Sequence, residues 1–503
     1  MTGMRVSEGA AAVALAASVG LAVAAMAEAW PVTVDDAFIS LRHARHWAER
    51  GSPSFDATEH IEAYSNFLWV ALGAALLRLG GDPVWILKAL GALCALGSVL
   101  GSVALAARCG ARPAFARLAG ALVGVSSGAA FWAVSGMETP LFALLLTGGV
   151  WALQARSPRV AAPLLLGAAL TRLEGPVLVA AAIAAAGAVR WREGARPAQL
   201  LREHLFVLVP AAGYLAWFAW RWSYYGHLFP SPIYFKRALS AGDVGASYGA
   251  GFLVSSLPLL ALAAAAPFAA RRDSGPPVAV VAAALVVFAG ARREVQDGVS
   301  TMAWLDRYFV PVLPCLAAAA AASLDAVARR LGTSGARGVA VAGLAVFLLV
   351  WQLGNPAANP AKLLVRTRGY PEAVAARGAP SAAYVQQQWG DRGTVAAGDI
   401  GRLGWVFRGR VLDLFGLAGY DYALRHGGAL EPHLDAILAR RPDAIVLCFD
   451  AERHDPPRPC QDSERVLMGR PGFAAYAEDA VFGREAVPRA YHVVYRRRAE
   501  VPE

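Results

Sequence analysis

Ten long apolar runs follow one another through the first 353 residues, and this succession limits the fold more than any other feature of the sequence. A helix that crosses a bilayer needs about 20 mostly apolar residues. The whole chain is 57% hydrophobic and 17% charged, whereas soluble domains are about 45–50% apolar. The sequence therefore predicts a polytopic α-helical membrane protein. The runs are Ala10–Ala29, Trp85–Ala107, Ala116–Val134, Leu141–Gln154, Val160–Val189, Leu205–Trp220, Gly251–Ala270, Val278–Ala291, Tyr308–Ala328 and Val339–Leu353.

The arginines in the short turns between these runs indicate how the chain crosses the membrane. Cytoplasmic turns are enriched in Lys and Arg, and a cytoplasmic N-terminus places most turn arginines inside on two conditions. The run Val160–Val189 must cross twice, broken at residues 171–175, and the run Asn66–Leu79 must lie in the interface, because its crossing would invert several arginine clusters. We expect about eleven spans, with the C-terminus outside. These turns hold much of the net charge of +10. The expected partner of the protein is therefore the lipid bilayer and not nucleic acid.

The composition changes after residue 353, where charged residues, Pro and Gly become more frequent. Short β-like runs alternate there with helical stretches, so we expect residues 354–503 to form a soluble α/β domain on the outer side. Cys448 and Cys460 fall in this domain, and an oxidising compartment would let them pair; two free thiols are the alternative. The expected strands are Thr394–Ala397, Arg410–Leu414, Ala444–Cys448 and His492–Tyr495, and the expected helices include Pro371–Arg377 and Pro432–Arg440.

The predicted topology brings the polar clusters between the spans to one side of the membrane. Residues 1–353 form the transmembrane part, and its first outer loop, residues 30–84, contains the acidic pair Asp35–Asp36 and the polar segment 62–66. Ionisable residues at membrane depth face one another or a wet cavity, so we expect the outer clusters to line one outward-facing cavity. The other clusters are residues 135–140, 171–175, 224–236 and 306–308.

Asp35 and Asp36 stand at the edge of the hydrocarbon, where charge is costly. Transfer of a sugar from a polyprenyl phosphate needs a general base for the acceptor hydroxyl and positive groups for the departing phosphate, so either aspartate is a candidate base. The structural alternative is that both aspartates are interfacial residues that cap the following helix, Phe38–Trp47, at its positive N-terminus. The residues alone leave both interpretations open.

Basic residues follow the acidic pair at helical spacing. Arg42 lies two turns beyond Asp35 and is a candidate phosphate ligand, while His43 and His46 are candidate metal ligands together with an aspartate. The alternative is a basic interfacial helix that contacts anionic lipid head groups. A divalent cation on the acidic pair is a further option, for which the sequence offers no specific ligand set.

The other candidate donor-phosphate and substrate ligands lie in the remaining outer clusters. Each has a structural alternative: Glu138 as a helix cap, Arg172 and Glu174 as a mutual ion pair, Lys236 and Arg307 as side chains that reach for the interface. Tyrosines are also common at membrane interfaces without a role in binding. The candidates are Glu62, Tyr64, Asn66, Glu138, Arg172, Glu174, Tyr225, Lys236 and Arg307.

Seven strings of residues, in this order, resemble the bacterial terminal arabinofuranosyltransferases of the mycobacterial cell-wall pathway and their relatives among the multi-spanning, C-type glycosyltransferases. The resemblance runs through most of the chain, and it rests on the ordered set, since each string alone is unspecific. The strings are DDAFISLRHAR (35–45), IEAYSNFLW (61–69), SGMETPLF (135–142), TRLEG (171–175), YYGHLFPSPIYFK (224–236), DRYFVPVLP (306–314) and GDIGRLGWVFRGRVLDLFGL (398–417).

The resemblance implies a C-type glycosyltransferase fold, in which a helical bundle carries a catalytic acidic motif in its first outer loop and an extracytoplasmic domain follows. It implies a multi-pass glycosyltransferase of the bacterial plasma membrane. The donor would be a polyprenyl-phosphate-linked sugar, decaprenyl-phosphate arabinofuranose in the mycobacterial relatives, the acceptor a cell-envelope glycan, and the reaction inverting. The catalytic motif falls on Asp35 and Asp36, with Asp35 as the preferred base.

The chain departs from the family pattern at positions that would contact substrate. His43 stands in place of a Tyr, Ala63 in place of a Gly, and Ser231-Pro232 in place of a Pro-Asn pair. A polyprenyl-linked donor is therefore a firmer expectation than arabinofuranose. The alternatives are a sugar-lipid transporter or flippase, for which inverted repeats are expected, a scaffold whose outer domain binds wall polysaccharide, and a protein or lipid glycosyltransferase of the same class.

Overall fold

The computed structural model describes residues 8–239, 248–270, 272–289, 305–332, 335–355, 369–451, 456–485 and 490–499, together with 295–296, 299–300 and 367. The end of one predicted span, Ala291, lies outside these residues. The membrane part is built from helices, which within the described residues are α1 (Glu8–Ala29), α2 (Asp35–Arg50), α3 (Phe67–Arg78), α4 (Pro83–Arg108), α5 (Pro113–Gly124), α6 (Ser127–Val134), α7 (Thr139–Gln154), α8 (Pro158–Thr171), α9 (Gly175–Arg192), α10 (Pro197–Tyr225), α11 (Ser231–Leu239), α12 (Tyr248–Ser255), α13 (Leu257–Ala269), α14 (Gly275–Phe288), α15 (Leu313–Leu331) and α16 (Ala336–Gly354).

Length and composition allow four of the described helices to cross a membrane, or six spans if each of two bent helix pairs counts as one. The bent pairs are α5–α6, at 59°, and α12–α13, at 87°. Apolar helices of 10–17 residues, among them α7, α8 and α14, occupy further predicted spans. The number of crossings and the side of each terminus stay predictions. The four long helices are Glu8–Ala29, Pro83–Arg108, Val310–Leu331 and Ala336–Gly354.

The long apolar run Val160–Val189 is broken where the sequence predicted. Helix α8 ends at Thr171 and α9 begins at Gly175, so that Arg172 and Glu174 lie in the break. Ionisable side chains are costly in a continuous apolar span. The break places both of them at the end of the helices instead of in the middle of one.

The C-terminal domain is built on a mixed sheet, ordered β4-β3-β5-β8-β7 with β6 paired to β5. Strands β3, β4 and β5 are parallel, whereas β8 pairs antiparallel with β5 and β7. A short hairpin, β1 (Val295–Gln296) and β2 (Val299–Ser300), precedes the domain. The sheet strands are β3 (Thr394–Ala397), β4 (Arg410–Asp413), β5 (Ala444–Asp450), β6 (Arg458–Pro459), β7 (Tyr476–Phe482) and β8 (Ala490–Arg497), and the helices are α17 (Ala379–Trp389), α18 (Ile400–Val406), α19 (Leu430–Ala439) and α20 (Asp462–Met468).

The prediction of a soluble α/β domain is confirmed, and its four expected strands are present within a few residues of their expected ends. Strand β7 was not predicted, because two adjacent acidic side chains, Glu478 and Asp479, are exposed in its middle and its burial does not alternate. Cys448 and Cys460 form a disulfide that ties β5 to the segment of β6. Of the two alternatives for these cysteines, the structure has the bonded one.

The outer loop and the C-terminal domain share a hydrophobic core. Ile39 of α2 and Phe55 and Ala63 of the outer loop are buried in the same cluster as Val395 and Ile400 of the domain. Burial of apolar surface stabilises by roughly 25 cal/mol per Å². The domain is therefore packed onto the loop that carries the acidic pair and is not suspended from a linker.

Arg42 fastens this packing with hydrogen bonds. Its buried guanidinium donates to the carbonyl oxygens of Phe55 at 2.8 Å, Gly404 at 2.6 Å, Phe407 at 2.9 Å and Gly409 at 2.8 Å. The planar fork of Arg suits several acceptors at once. Each of its three nitrogens already donates to a backbone carbonyl. Arg42 is therefore a structural contact and not the phosphate ligand that the sequence suggested.

We predict that Arg42→Lys lowers the denaturation midpoint of the purified protein and exposes the C-terminal domain to protease. A lysine ammonium has its donors at one point and cannot reach carbonyls of both segments, and each buried carbonyl left unpaired costs about 1–3 kcal/mol. The matched control is Arg50→Lys, at an exposed position of the same helix. Equal midpoints for the two variants would contradict the fastening role.

Candidate functional site

A group of charged and polar side chains meets where the outer loop contacts the ends of several membrane helices. They come from the start of α2, the start of α3, the α6–α7 junction, the α8–α9 break, α11 and the turn 305–309. We call this group the ionic cluster. Its members are Asp36, Asn66, Glu138, Arg172, Glu174, Lys236, Arg307 and Tyr308.

Arg172 is the most fully paired cation of the ionic cluster. It donates to Glu138 at 2.6 Å and to Glu174, and all three side chains are almost completely buried. Asn66 donates to the other carboxylate oxygen of Glu138 at 2.8 Å, and the Ser40 hydroxyl donates to Asn66 at 3.1 Å. A buried charge without a partner is very costly. This network therefore holds Arg172 and Glu138 in fixed positions. Most of the hydrogen-bonding capacity of Arg172 is used by the two carboxylates.

Arg307 has longer and fewer polar contacts than Arg172. Its Nη1 lies 3.5 Å from Asp36 and its Nη2 lies 3.9 Å from Glu138, both long for charge-assisted hydrogen bonds. Its Nε is buried and has no hydrogen-bond partner among the residues that the structure describes. The guanidinium is held over the ring of Trp132, 5.0 Å from its centroid. A fixed cation with spare donors is the kind of group that binds an anion.

The backbone just before Arg307 is strained. Leu305 and Asp306 are consecutive non-glycine residues with φ of 52° and 51°, in the left-handed region that costs such residues about 1–2 kcal/mol. The turn packs so closely on α6 that a Cβ at Gly128 would lie 2.5 Å from the Leu305 carbonyl oxygen. Strain of this kind is retained where it serves function. Here it sets the position of Arg307.

Lys236 and Tyr308 complete the positive side of the ionic cluster. Lys236 on α11 is exposed and donates to the Tyr308 hydroxyl at 3.2 Å. The Tyr308 ring lies within 5.4–5.8 Å of three cationic groups, namely those of Arg172, Arg307 and Lys236. Arg172 is paired with Glu138 and Glu174, whereas Arg307 and Lys236 lie on the side of the cluster that also holds Asp36.

The two aspartates of the acidic pair have different partners. Both oxygens of Asp35 accept backbone N–H groups from the start of α18, those of Gly401 and Arg402, each at 2.8 Å. The Asp36 side chain is 36% exposed and faces Arg307. The Asp36 carboxylate is therefore less fully hydrogen-bonded within the protein than that of Asp35. The sequence favoured Asp35 as the base; the geometry favours Asp36.

Burial raises the pKa of the Asp35 carboxyl to about 7, with further contributions from Asp399 and Asp36, although the two N–H donors oppose the shift. A carboxyl whose pKa is raised in the folded protein contributes most to stability when it is protonated, and this contribution is lost as the pH rises through the raised pKa. Asp35 is thus a contact between two parts of the protein, and its shifted pKa reflects burial in that contact.

Three further candidates belong to a separate structural network. Glu62 is buried and forms a two-point ion pair with Arg221, at 2.9 and 2.6 Å. Tyr64 and Tyr225 are buried and their hydroxyls lie 3.2 Å apart, with Tyr225 donating to a backbone carbonyl. The polar groups of these three residues already have partners within the protein, which favours a structural role over substrate binding. The sequence pattern did not single out Arg221, because it lies just past the end of a predicted span.

The two candidate metal-ligating histidines differ in their surroundings. His46 Nδ1 contacts the Ser54 carbonyl at 2.8 Å, and its Nε2 is buried with no hydrogen-bond partner among the described residues. His43 Nδ1 contacts the Pro53 carbonyl at 3.0 Å and its Nε2 accepts the Ala63 N–H at 3.3 Å, so both ring nitrogens are occupied. Burial lowers the pKa of His43 to about 3, which keeps the ring neutral. His43 therefore has no free ring nitrogen for a metal, and a divalent cation at the acidic pair stays a prediction.

Another possible ligand group lies in the C-terminal domain. Asp399, Cys448 and His492 are close enough to share a metal ion. Cys448 is bonded to Cys460 in this structure, and a disulfide sulfur is not the thiolate that metals bind. The group is therefore not a metal centre in the oxidised protein.

Comparison with known proteins links this geometry to a fold. A domain of unknown function, DUF8728, matches residues 370–500, and no curated protein matches the chain. ArnT from Cupriavidus metallidurans bound to undecaprenyl phosphate is 15% identical, with a TM-score of 0.57 over 97% of this chain and 98% of that chain. The Archaeoglobus fulgidus oligosaccharyltransferase in its apo form is 12% identical, with a TM-score of 0.51 over 85% of this chain and 69% of that chain.

The chain has the C-type glycosyltransferase fold. AglB, the archaeal oligosaccharyltransferase from Archaeoglobus fulgidus in complex with an inhibitory peptide and a dolichol-phosphate, has a TM-score of 0.50 at 12% identity over the same shares of both chains. The predicted fold class, a polytopic helical membrane protein with a C-terminal soluble α/β domain, is confirmed. The resemblance to arabinofuranosyltransferases is not among these findings and stays a prediction.

We predict that Gly401→Ala weakens the contact between α18 and Asp35. A Cβ at position 401 would overlap the backbone oxygen and the carboxylate of Asp35, and overpacking of this kind costs about 1–3 kcal/mol. The denaturation midpoint should fall, with faster proteolysis of the C-terminal domain. The control is Gly378→Ala, whose Cβ would only touch the Arg402 side chain at 3.8 Å. An unchanged midpoint in Gly401→Ala would show that this contact is not tight.

Proposed function

We propose that this protein is a glycosyltransferase that moves a sugar from a polyprenyl-phosphate donor to a cell-envelope glycan at the outer face of the bacterial plasma membrane. The observation that carries the proposal is the ionic cluster, in which the half-exposed Asp36 carboxylate lies beside the incompletely paired Arg307. The fold is that of ArnT, which has been seen bound to undecaprenyl phosphate. A base and an anion site at the edge of the lipid are what a lipid-phosphate donor requires.

The proposed reaction is a single displacement. The acceptor hydroxyl oxygen attacks the anomeric carbon as Asp36 takes its proton, and the bond between that carbon and the phosphate oxygen breaks, so polyprenyl phosphate leaves with the electron pair. Attack opposite the leaving group inverts the anomeric centre. Arg307 and Lys236 stand where the phosphate gains charge, and preorganised cations of this kind stabilise such a transition state.

The rest of the ionic cluster holds these groups in place. Glu138 and Glu174 fix Arg172, and Arg172 lies 5.4 Å from the ring of Tyr308, whose hydroxyl accepts a hydrogen bond from Lys236. Asn66 prevents Glu138 from turning away. Asp35 acts through the backbone of α2, because its bonds to α18 fix the first turn of the helix that carries Asp36.

The donor sugar is inferred from the resemblance and from the positions at which the chain departs from it. Arabinofuranose is the donor sugar that the resemblance implies, and the departures at His43, Ala63 and Ser231 allow another sugar. Of these three positions, His43 and Ala63 are buried and hydrogen-bonded to each other, and Ser231 donates to backbone carbonyls. They therefore affect the sugar through the shape of the loop. A transporter or flippase would bind the same donor without cleaving it.

The proposal predicts that purified protein in nanodiscs transfers radiolabelled sugar from at least one of a panel of synthetic polyprenyl-phosphate sugars, arabinofuranose included. Removal of a general base typically costs about 10²–10⁴-fold, so Asp36→Asn should lose at least about 100-fold in turnover. The matched control is Glu49→Gln, an exposed carboxylate on the same helix, which should retain parental turnover.

Two results would count against this account. If the folded parent cleaves no donor in the panel, transport or scaffolding becomes the better explanation. If the parent is active and Asp36→Asn keeps near-parental turnover while Asp35→Asn loses it, the base is Asp35 and the division of roles given above is wrong.

A further inference from the structure

A second polar cavity lies apart from the ionic cluster, between the outer loop and the C-terminal domain. It has a volume of about 240 Å³ and takes its walls from residues 56–61 of the loop, from His227, and from β4, residues 416–421 and α19 of the domain. The established contacts between loop and domain pack beside it but leave it open. We call it the loop–domain pocket.

Its charged walls are held by ion pairs. Arg410 pairs with Asp56 at 3.2 Å and with Glu59, and Arg440 lies 3.4 Å from Glu59 and 3.3 Å from Asp421. Each guanidinium and carboxylate still has N–H groups or lone pairs beyond those used in the pairs. A wall of paired donors and acceptors in fixed positions is suited to a ligand that carries several hydroxyl groups.

The side chains that line the loop–domain pocket carry more negative than positive charge, which disfavours anionic ligands. Asp56, Glu59, Asp413 and Asp421 supply four carboxylates, against the two cations Arg410 and Arg440. Burial lowers the pKa of His433 to about 4, so this histidine does not add positive charge near neutral pH. The excess of carboxylates repels phosphates. The pocket therefore suits a neutral ligand better than the donor phosphate.

One wall of the pocket is aromatic. The rings of His227 and Tyr420 stack with centroids 3.7 Å apart, and both residues line the pocket. An aromatic ring offers an apolar face beside a polar edge. A sugar has the matching shape, with C–H faces and hydroxyl edges.

Two short segments connect the pocket to the ionic cluster. The loop runs from Ile61, in the pocket wall, to Asn66, in the cluster, and five extended residues span at most about 17 Å. Helix α11 runs from Ser231, which donates to the Leu417 carbonyl at 2.7 Å beside the pocket, to Lys236 in the cluster. Five helical residues span about 7.5 Å. These lengths limit how far Ile61 lies from Asn66 and Ser231 from Lys236, and a short saccharide has a comparable length.

We propose that the loop–domain pocket binds a neutral sugar unit of the acceptor glycan, one or more units away from the hydroxyl that reacts at Asp36. This inference rests on the proposed function and gives it an acceptor class, a neutral saccharide. It also gives the packed C-terminal domain a role, since the domain supplies half of an acceptor site that the membrane part alone does not complete.

The test fills the pocket. Ala436 on α19 lines it and is half-buried, so Ala436→Trp places an indole in the cavity. Glu431→Trp is the matched control, on the exposed face of the same helix and outside the pocket. A second, gentler variant, Arg440→Gln, removes one donor group without filling the space.

Binding is measured first, by saturation-transfer NMR on the full-length protein in nanodiscs, with methyl glycosides of neutral pentose and hexose disaccharides as probes and inorganic phosphate as the anionic probe. We expect the parent and Glu431→Trp to bind at least one disaccharide, and Ala436→Trp to bind about tenfold more weakly or not at all, a loss of about 1.4 kcal/mol. Phosphate should not compete. Undiminished disaccharide binding in Ala436→Trp, or none in the parent, would overturn the proposal.

Turnover then separates the two proposals. If both hold, Ala436→Trp and Arg440→Gln raise the KM for the acceptor while hydrolysis of the donor in the absence of acceptor stays parental. If the parent turns over no donor but binds disaccharide in a way that Ala436→Trp abolishes, the proposed function fails and the saccharide site stands. If donor turnover is normal and both variants leave acceptor KM unchanged, the pocket is not the acceptor site.

Discussion

Two hydrogen bonds, from the backbone amides of Gly401 and Arg402 to the carboxylate of Asp35, join the C-terminal domain to the first turn of α2. Successive residues of a helix diverge by about 100°. Once Asp35 is held by the domain, Asp36 must point elsewhere, and it points toward Arg307. The Arg42 hydrogen bonds, two turns further along, keep the helix from rotating. The orientation of Asp36 thus depends on a domain whose sequence lies more than 350 residues away.

The ionic cluster follows from the cost of charge near hydrocarbon. Three carboxylates and three cations gather there because none is tolerated alone in an apolar span, and the buried members, Arg172 with Glu138 and Glu174, satisfy one another. Arg307 is paired less closely than Arg172. It is held by a strained turn and by the Trp132 ring, and its Nε has no hydrogen-bond partner among the residues that the structure describes.

The sequence predicted much of the fold because apolar length and strand periodicity are local properties. The break between α8 and α9 and the strands β3, β4, β5 and β8 followed from such patterns, as did Glu138, Arg172 and Glu174, whose charges stand out against apolar neighbours. The roles of Arg42 and Glu62 were not predictable in this way. Helical spacing shows which residues share a face but not what that face meets, and the partners of Arg42 lie up to 367 positions away. The strain at Leu305 and the unpaired donor of Arg307 are visible only in three dimensions.

We propose that Arg307 and Lys236, opposite Asp36, form the anion site of a lipid-phosphate enzyme. An electron cryomicroscopy structure of the purified protein with polyprenyl phosphate would show where the phosphate binds. We expect phosphate density within hydrogen-bonding distance, about 3 Å, of Arg307, with the Asp36 carboxylate open to solvent. Phosphate bound at a site that contacts neither Arg307 nor Lys236 would rule out this assignment.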